Sequence, residues 1–466
     1  MPHPLHIDPK GNITLELNIW VILKVAIILA MAFGAYFLPL PGLDTASRIC
    51  LSLFVGAAGL WVTEAIPPFA TAIMVIVLSI YILGKPGGPL GLEPSGYRLF
   101  LEPIASPVLI LFFGGFVLAV AATKHGFDTR LARAFVKPFG TRPTMVLLGI
   151  ILTTGLFSMF MSNTATTAMM IAILAPIFKH FEGRDPFKKA MVLAIPFAAN
   201  IGGVGTIIGT PPNAVAASVL SGLGYKISFI KWMLFGVPLA AAMLFILWIL
   251  LVRIFKPRRE KFEILFPDPL ELTWDLVIVV ITFSVTVLMW LTEPLHRIPS
   301  AVVALIPVMV FTMFGIIDRR DLKKIDWDVL ILIAGGLTLG VAMKSSGLSD
   351  ILVQQLSLFA VPPMGLMVII VVFSIALSNF MSNTSAANVI IPIVTSLGSI
   401  NPMLAAIGVA FATSLAMSLP ISTPPNALAF ATNEVETSDL AKYGTLISFL
   451  GVGCILILLF ILRGML

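Results

Sequence analysis

Ser158-Met159-Phe160-Met161-Ser162-Asn163-Thr164 returns 220 residues later as Ser378-Asn379-Phe380-Met381-Ser382-Asn383-Thr384, altered at a single position. A second pair follows in the same order, Thr210-Pro211-Pro212-Asn213-Ala214 and Thr423-Pro424-Pro425-Asn426-Ala427. Weaker echoes precede both: Trp61-Val62-Thr63-Glu64 with Trp290-Leu291-Thr292-Glu293, and Gly114-Gly115 with Gly335-Gly336. Two separate motifs recurring in one order mean that the chain contains one structural unit twice.

The setting of these motifs is apolar. Of 466 residues, 58% are hydrophobic and 11% charged, with a mean hydropathy of +1.04. Soluble domains carry about 25% charged residues. The composition excludes a soluble enzyme, a disordered chain and a secreted disulfide scaffold, and leaves an all-α polytopic membrane protein. Cys50 and Cys454 lie in apolar stretches and read as buried thiols with no disulfide or metal role. Trp20 to Leu38 is long enough to span and no small-residue cleavage site follows it, so it reads as a first transmembrane helix and not a signal peptide. Further apolar runs lie near 47–62, 67–84, 104–123, 143–180, 190–220, 232–252, 273–291, 299–316, 327–343, 364–399, 403–431 and 443–462. Trp20, Trp61, Trp232, Trp274, Trp290 and Trp327 fall near run ends, where interfacial anchors are expected.

The basic residues set the orientation. Four clusters hold 18 of the 29: Lys124, Arg130, Arg133, Lys137 and Arg142; Lys179, Arg184, Lys188 and Lys189; Arg253, Lys256, Arg258, Arg259 and Lys261; Arg319, Arg320, Lys323 and Lys324. The positive-inside rule places all four in the cytoplasm; the net charge of +6 thus reflects topology and not nucleic-acid binding. The run 143–180 has basic loops at both ends and must return to the side it entered. Two full crossings with a minimal outer turn would satisfy the charges as well, but the Ser-Asn-Thr turn favours a re-entrant hairpin. Its counterpart 364–399 has almost no flanking basic residues and is expected to enter from outside. With the N-terminus cytoplasmic, the count is eleven spans, two hairpins and an external C-terminus.

The expected organisation is an N-terminal segment with the first helix (1–46), repeat 1 (47–253), a basic cytoplasmic linker (254–272) and repeat 2 (273–466). Each repeat carries a hairpin and then a broken helix, at 190–220 and 403–431. Five spans per repeat is an odd number, so the second copy is inverted. Inverted repeats with interrupted helices are the architecture of secondary transporters.

The repeated motifs supply matching chemistry. Ser158 and Ser162 are four apart and share a helix face, with Asn163 at the turn; Ser378, Ser382 and Asn383 repeat the pattern. Hydroxyl and amide oxygens beside carbonyls freed by a broken helix make a hard, neutral oxygen cage suited to an alkali cation. Consecutive prolines at 211–212 and 424–425 break the helix, and Thr210 and Thr423 are suitable N-caps for its restart. Asn200-Ile201-Gly202-Gly203-Val204-Gly205 before the first break permits close backbone approach. Four helix N-termini, each with about half a positive charge, then converge on an anion site that contains no Arg, Lys or His in its motifs. Cation coupling supplies the charge that the motifs lack. Glu64 and Glu293 end related spans and are placed to pair across repeats or to meet water, while Lys344 and His180 read as snorkelling residues.

The double Ser-Asn-Thr and Thr-Pro-Pro pattern resembles the divalent anion/sodium symporter family, which includes INDY-type dicarboxylate transporters, over essentially the whole chain. The resemblance implies a homodimer whose scaffold domain dimerises and whose transport domain, the hairpins and broken helices, moves as an elevator. It implies one sodium site at Ser158, Ser162, Asn163 and the Gly209 carbonyl, and a second at Ser378, Ser382, Asn383 and the Ser422 carbonyl. Substrate carboxylates would meet Asn163, Thr164, Asn383 and Thr384, with Thr210, Pro211, Thr423 and Pro424 completing the pocket. The expected function is sodium-coupled uptake of C4 dicarboxylates such as succinate, malate and fumarate, with two or more sodium ions and no organic cofactor, in a bacterial plasma membrane. The alternatives within this fold are a sodium-independent dicarboxylate exchanger and a citrate or sulfate carrier. An intramembrane hydrolase is disfavoured because Ser162 and Ser382 have no His, Lys or Asp in their motifs; a channel is disfavoured by the broken helices in inverted repeats.

Overall fold

The computed structural model describes residues 5–7, 13–15, 19–178, 185–257, 261, 272–356 and 362–464. Lys179, His180, Arg184, Arg258, Arg259, most of the 254–272 linker and most of the first 18 residues lie outside the described residues. Apart from a short antiparallel pairing of Leu5–Ile7 with Ile13–Leu15, every regular element described is helical.

After Ile19–Tyr36 the chain runs through Thr45–Thr63, Pro68–Leu78 with a wider turn to Leu83, Pro107–Lys124 and the short Phe127–Val136. A helix-turn-helix follows, Pro143–Ser158 and Asn163–Phe178, then the interrupted pair Pro186–Gly203 and Pro211–Gly222, then the long Phe229–Ile254. The second half repeats that order: Trp274–Leu291, Ser300–Val303 with Leu305–Met313, Trp327–Ser345, Leu348–Leu356, Pro363–Ser378 with Asn383–Thr395, Pro402–Ser414 with Pro424–Ala431, and Thr445–Arg463. Among the described residues seven helices are long and apolar enough to cross a membrane. Each first hairpin arm has 16 residues, about 24 Å at 1.5 Å per residue, short of a hydrocarbon core of about 30 Å. The chain is an integral membrane protein.

Three local readings need correction. The run 299–316 is not one helix but two, divided at Ala304. The loop carrying Arg130 and Arg133 is largely the amphipathic helix Phe127–Val136, which buries Ala132 and Val136. Trp61, Trp232 and Trp290 are not interfacial anchors but fully buried. A buried indole needs an acceptor, and theirs are the carbonyls of Pro68 at 3.1 Å, Val204 at 3.2 Å and Ser300 at 3.0 Å, all at helix starts or breaks. Trp20, Trp274 and Trp327 remain exposed, as anchors should. Cys50 and Cys454 are free thiols; Cys50 is buried and Cys454 partly so.

The two halves interlock. Pro211–Gly222 packs on Asn383–Thr395 and Pro402–Ser414 of the second half, and Pro424–Ala431 packs on Asn163–Phe178 and Pro186–Gly203 of the first. The leading segments of the broken helices form the innermost core: every side chain from Ala190 to Gly203 and from Met403 to Ser414 is buried. Lys188 and Lys189, in the first turn of Pro186–Gly203, pair with Glu434 at 2.6 Å and Asp439 at 2.7 Å across the halves. Lys124 likewise reaches Asp321 at 2.5 Å. Burial alone would raise the Asp321 carboxyl, but hydrogen bonds from Lys124, the Asp318 N–H and Lys324 hold it well below the usual carboxylate range.

Outside that core, Pro107–Lys124 packs on Ser300–Val303 and Leu305–Met313, and Trp327–Ser345 packs on Pro68–Leu78. The echoed glycines make both crossings. A Cβ on Gly114 would lie 2.1 Å from the Ala304 carbonyl oxygen, and one on Gly335 would lie 2.4 Å from the Ala72 Cβ. Backbone cannot yield as a flexible side chain does, so Gly114→Ala and Gly335→Ala are each expected to cost about 1–3 kcal/mol or more. Thermal unfolding in detergent measures this; an unchanged midpoint would show that these helices do not pack so closely.

Candidate functional site

Each hairpin turns because its motif ends one helix and caps the next. In the second tip, Ser382 is an extended N-cap whose Oγ accepts from the Ser385 N–H at 3.2 Å. In the first, Ser162 Oγ accepts from the Ala165 N–H at 3.4 Å. Both serines thus perform the structural duty of a cap and retain a free lone pair. Buried Ser158 and Ser378 close the turns, Ser158 Oγ meeting the Asn163 amide at 2.5 Å and Ser378 Oγ donating to Asn383 Oδ1 at 2.8 Å. The Ser378 hydroxyl also reaches the Thr413 carbonyl at 3.1 Å.

The broken helices are built with equal regularity. Thr210 and Thr423 lead the restarts in extended conformation, with prolines in the first turn. The Asn213 amide nitrogen donates to the carbonyls of Gly203 at 3.0 Å, Val204 at 3.3 Å and Thr206 at 2.8 Å. Asn426 binds the carbonyls of Met417 at 2.9 Å and Leu419 at 3.0 Å in the matching place. In each break, a side chain on the restarting helix therefore holds carbonyls freed at the end of the preceding one.

The first tip and the first break meet in a cluster of oxygens. Ser158 Oγ, the Ala199 carbonyl and the Gly209 carbonyl surround one end of the Asn163 amide at 2.5, 3.2 and 3.2 Å. With its oxygen there, Asn163 faces two acceptors; with its nitrogen there, it donates to all three. These are hydrogen-bond distances: three acceptor oxygens gather around one point, and in this structure the Asn163 amide occupies it. A Cβ on Gly203 would stand 2.6 Å from Asn163 Oδ1, and one on Gly209 2.4 Å from the Gly203 carbonyl, so only glycine leaves this cradle open. Among the described residues no group of three His, Cys, Asp or Glu occurs; the donors here are hydroxyl, amide and carbonyl.

A chain of amides carries the cluster into the other half. The other end of the Asn163 amide lies 3.5 Å from Asn200 Oδ1, and Asn200 Nδ2 donates to Thr423 Oγ1 at 3.2 Å. Asn163, Thr164 and Asn383 are partly exposed, as is Pro211, and Pro424 is exposed. Thr210, Thr384, Ser422 and Thr423 are buried. Among the described residues the hydroxyls of Thr164, Thr210 and Thr384 have no hydrogen-bond partner, and no hydrogen bond joins Asn163 to Asn383. The Ser422 hydroxyl donates to the Leu419 carbonyl at 2.7 Å, shaping the second break.

Asn200, Asn213, Asn426 and the Ala199 carbonyl were absent from the expected site residues. Asn213 and Asn426 stood in the quoted motifs, and their recurrence was the available signal; nothing in the sequence connects Asn200 with Thr423. Glu64 does not pair with Glu293: its Oε1 accepts from the Ser382 N–H of the other half at 3.0 Å. Glu293 instead accepts from Ser300 Oγ in its own half.

Comparison with known proteins agrees with this architecture. A citrate transporter family model matches residues 58–401 and, in a second match, 287–466. The chain is 31% identical over 456 residues to the sodium-dependent dicarboxylate transporter SdcS of Staphylococcus saprophyticus, covering 88% of this chain and 85% of that protein. SdcS of Staphylococcus aureus matches at the same identity and coverage. In fold, the chain is similar to the YdaH transporter of Alcanivorax borkumensis (TM-score 0.58, 14% identity, 85% of this chain and 98% of that one). It is also similar to MtrF of Neisseria gonorrhoeae (TM-score 0.55, 13% identity, 86% and 96%). With the family model spanning most of its length and relatives above 30% identity over nearly all of it, the chain belongs to the divalent anion/sodium symporter family, alongside the citrate and sodium-dependent dicarboxylate transporters.

Proposed function

We propose that this protein couples sodium entry to the uptake of C4 dicarboxylates. The observation that carries the reading is the cluster at the first tip: the Ser158 hydroxyl and the Ala199 and Gly209 carbonyls converging on the Asn163 amide, with no fixed charge among them. Sodium at Ser158, Ser162, Asn163 and Gly209, and a second ion at Ser378, Ser382, Asn383 and Ser422, place two positive charges beside four helix N-termini. An uncompensated buried carboxylate would protonate or be expelled; here a dianion finds its charge balanced. The unpartnered hydroxyls of Thr164, Thr210 and Thr384 and the partly exposed amides of Asn163 and Asn383 then receive its two carboxylates, between Pro211 and Pro424. Sodium binds first and completes the anion site, and the neutralised unit of hairpins and broken helices crosses as an elevator. The name of the dicarboxylate-transporting relatives supports substrate class and coupling ion.

In the same reading the chain crosses a bacterial plasma membrane eleven times, N-terminus cytoplasmic and C-terminus external, and pairs as a homodimer through its outer helices. The test is uptake into proteoliposomes that contain neither sodium nor substrate. An imposed sodium gradient is expected to drive succinate in, with citrate, 2-oxoglutarate and sulfate as the comparison panel. Uptake that needs internal dicarboxylate and ignores sodium would instead make the protein an exchanger.

A further inference from the structure

Glu64 sits where a glutamate is costly. It terminates Thr45–Thr63 in the left-handed conformation, φ 45° and ψ 36°, a role that glycine or asparagine fills at less cost. Its carboxylate also lies at the negative end of that helix. Both costs are offset in one place. Glu64 Oε1 accepts from the backbone N–H of Ser382, 318 residues away, at 3.0 Å. Ser382 is the N-cap of Asn383–Thr395, so the carboxylate rests on that helix's positive end. An outlier conformation that delivers a charged group to a distant hairpin tip marks a working contact.

The repeat-related residues are arranged differently. Glu293 echoes Glu64 in Trp-x-Thr-Glu, and Ser162 echoes Ser382. Glu293 accepts from Ser300 Oγ in its own half, and among the described residues the Ser162 N–H has no partner. One half has its latch closed and the other half has it open. In inverted repeats, exchanging the conformations of the two halves converts one facing state into the other.

We propose that Glu64 and Glu293 are alternating latches. Glu64 holds the second tip through the Ser382 N–H in the conformation seen here. Glu293 leaves Ser300 and holds the first tip through the Ser162 N–H in the opposite one. With the N-terminus cytoplasmic, Glu64 lies at the cytoplasmic end of its helix while the second hairpin enters from outside. Its tip meets Glu64 only when the moving unit is displaced toward the cytoplasm, so this conformation is inward-facing. Each carboxylate is a positioning residue: it sets the balance between facing states and touches neither ion nor substrate. The inference rests on the transporter reading but not on its substrate.

Cysteine pairs test it in membranes, in the full chain with Cys50→Ala and Cys454→Ala. One protein carries Glu64→Cys with Ser382→Cys, the other Glu293→Cys with Ser162→Cys, and each is treated with a short bis-thiol-reactive cross-linker. Adding Glu64→Gly, which suits a positive φ, to the second pair is expected to raise its cross-linking about three- to tenfold, the loss expected for one solvent-exposed hydrogen bond of ordinary net strength. Glu64→Gln, which keeps side-chain shape, should shift it in the same direction by less. A second pair that never cross-links in folded protein, or that ignores both Glu64 substitutions, overturns the proposal. Cross-linking reads geometry and not uptake, so a failed sodium or dicarboxylate assay leaves it standing.

Discussion

Asn163→Ala and Asn383→Ala are each expected to abolish sodium-driven uptake while leaving a folded membrane protein. Asn163 is partly exposed, and its amide is surrounded by Ser158 Oγ and the Ala199 and Gly209 carbonyls within 3.2 Å. Truncation leaves the two helix arms and their Ser162 cap in place. It removes the only side-chain amide of that cluster and the amide link toward Asn200 at 3.5 Å. One hydrogen bond or ligand to a charged group contributes about 1.5–3 kcal/mol, so sodium affinity should fall about 10–100-fold. The loss is shared with the anion, because coupling between two ligands is reciprocal. Asn383, bonded to Ser378 at 2.8 Å, occupies the same place in the second half and carries the same expectation. Initial rates of succinate uptake under a sodium gradient measure the effect, and size-exclusion profiles report folding. Wild-type rates in either variant would remove that asparagine from the site.

Much of this architecture was legible because the deciding residues act locally. Pro211-Pro212 and Pro424-Pro425 break a helix wherever they stand, and Thr210 and Thr423 restart it; the observed restarts begin at Pro211 and Pro424. Ser162-Asn163 and Ser382-Asn383 end and cap helices by the same short-range chemistry, and the observed arms begin at Asn163 and Asn383. What stayed hidden depends on neighbours distant in sequence. A tryptophan at the end of an apolar run looks the same whether it meets lipid headgroups or a freed carbonyl. Trp232 took the second course because the first break exposes the Val204 carbonyl beside it. Asn200 gave no sign that it would reach Thr423 across the halves at 3.2 Å. Nor does a period of hydrophobicity say that Pro211–Gly222 will pack on the hairpin of the other half.

Asn213→Ala is expected to destabilise the fold by orphaning a buried carbonyl at the first break. Its amide nitrogen is the donor for the Gly203 and Thr206 carbonyls, at 3.0 and 2.8 Å, in a segment where every residue from Ile201 to Thr210 is buried. The Val204 carbonyl keeps Trp232 as a donor at 3.2 Å and the Thr206 carbonyl keeps the Gly209 N–H at 3.3 Å, so one orphaned acceptor results, the Gly203 carbonyl. A buried acceptor without a partner costs about 1–3 kcal/mol, a sizeable share of a typical folding free energy of about 5–15 kcal/mol. Asn426→Ala should cost about as much. The Leu419 carbonyl it releases still accepts from Ser422 Oγ at 2.7 Å, and the principal orphan is the Met417 carbonyl. Aspartate at either position would be worse than alanine, since it turns a carboxylate oxygen toward carbonyls in place of an N–H. Folded yield and thermal midpoint, compared with and without sodium, separate the two roles. A midpoint lowered equally in both buffers identifies Asn213 as the staple of the break. One lowered only when sodium is present would move it into the ion site, and an unchanged midpoint in either variant would contradict the carbonyl assignment.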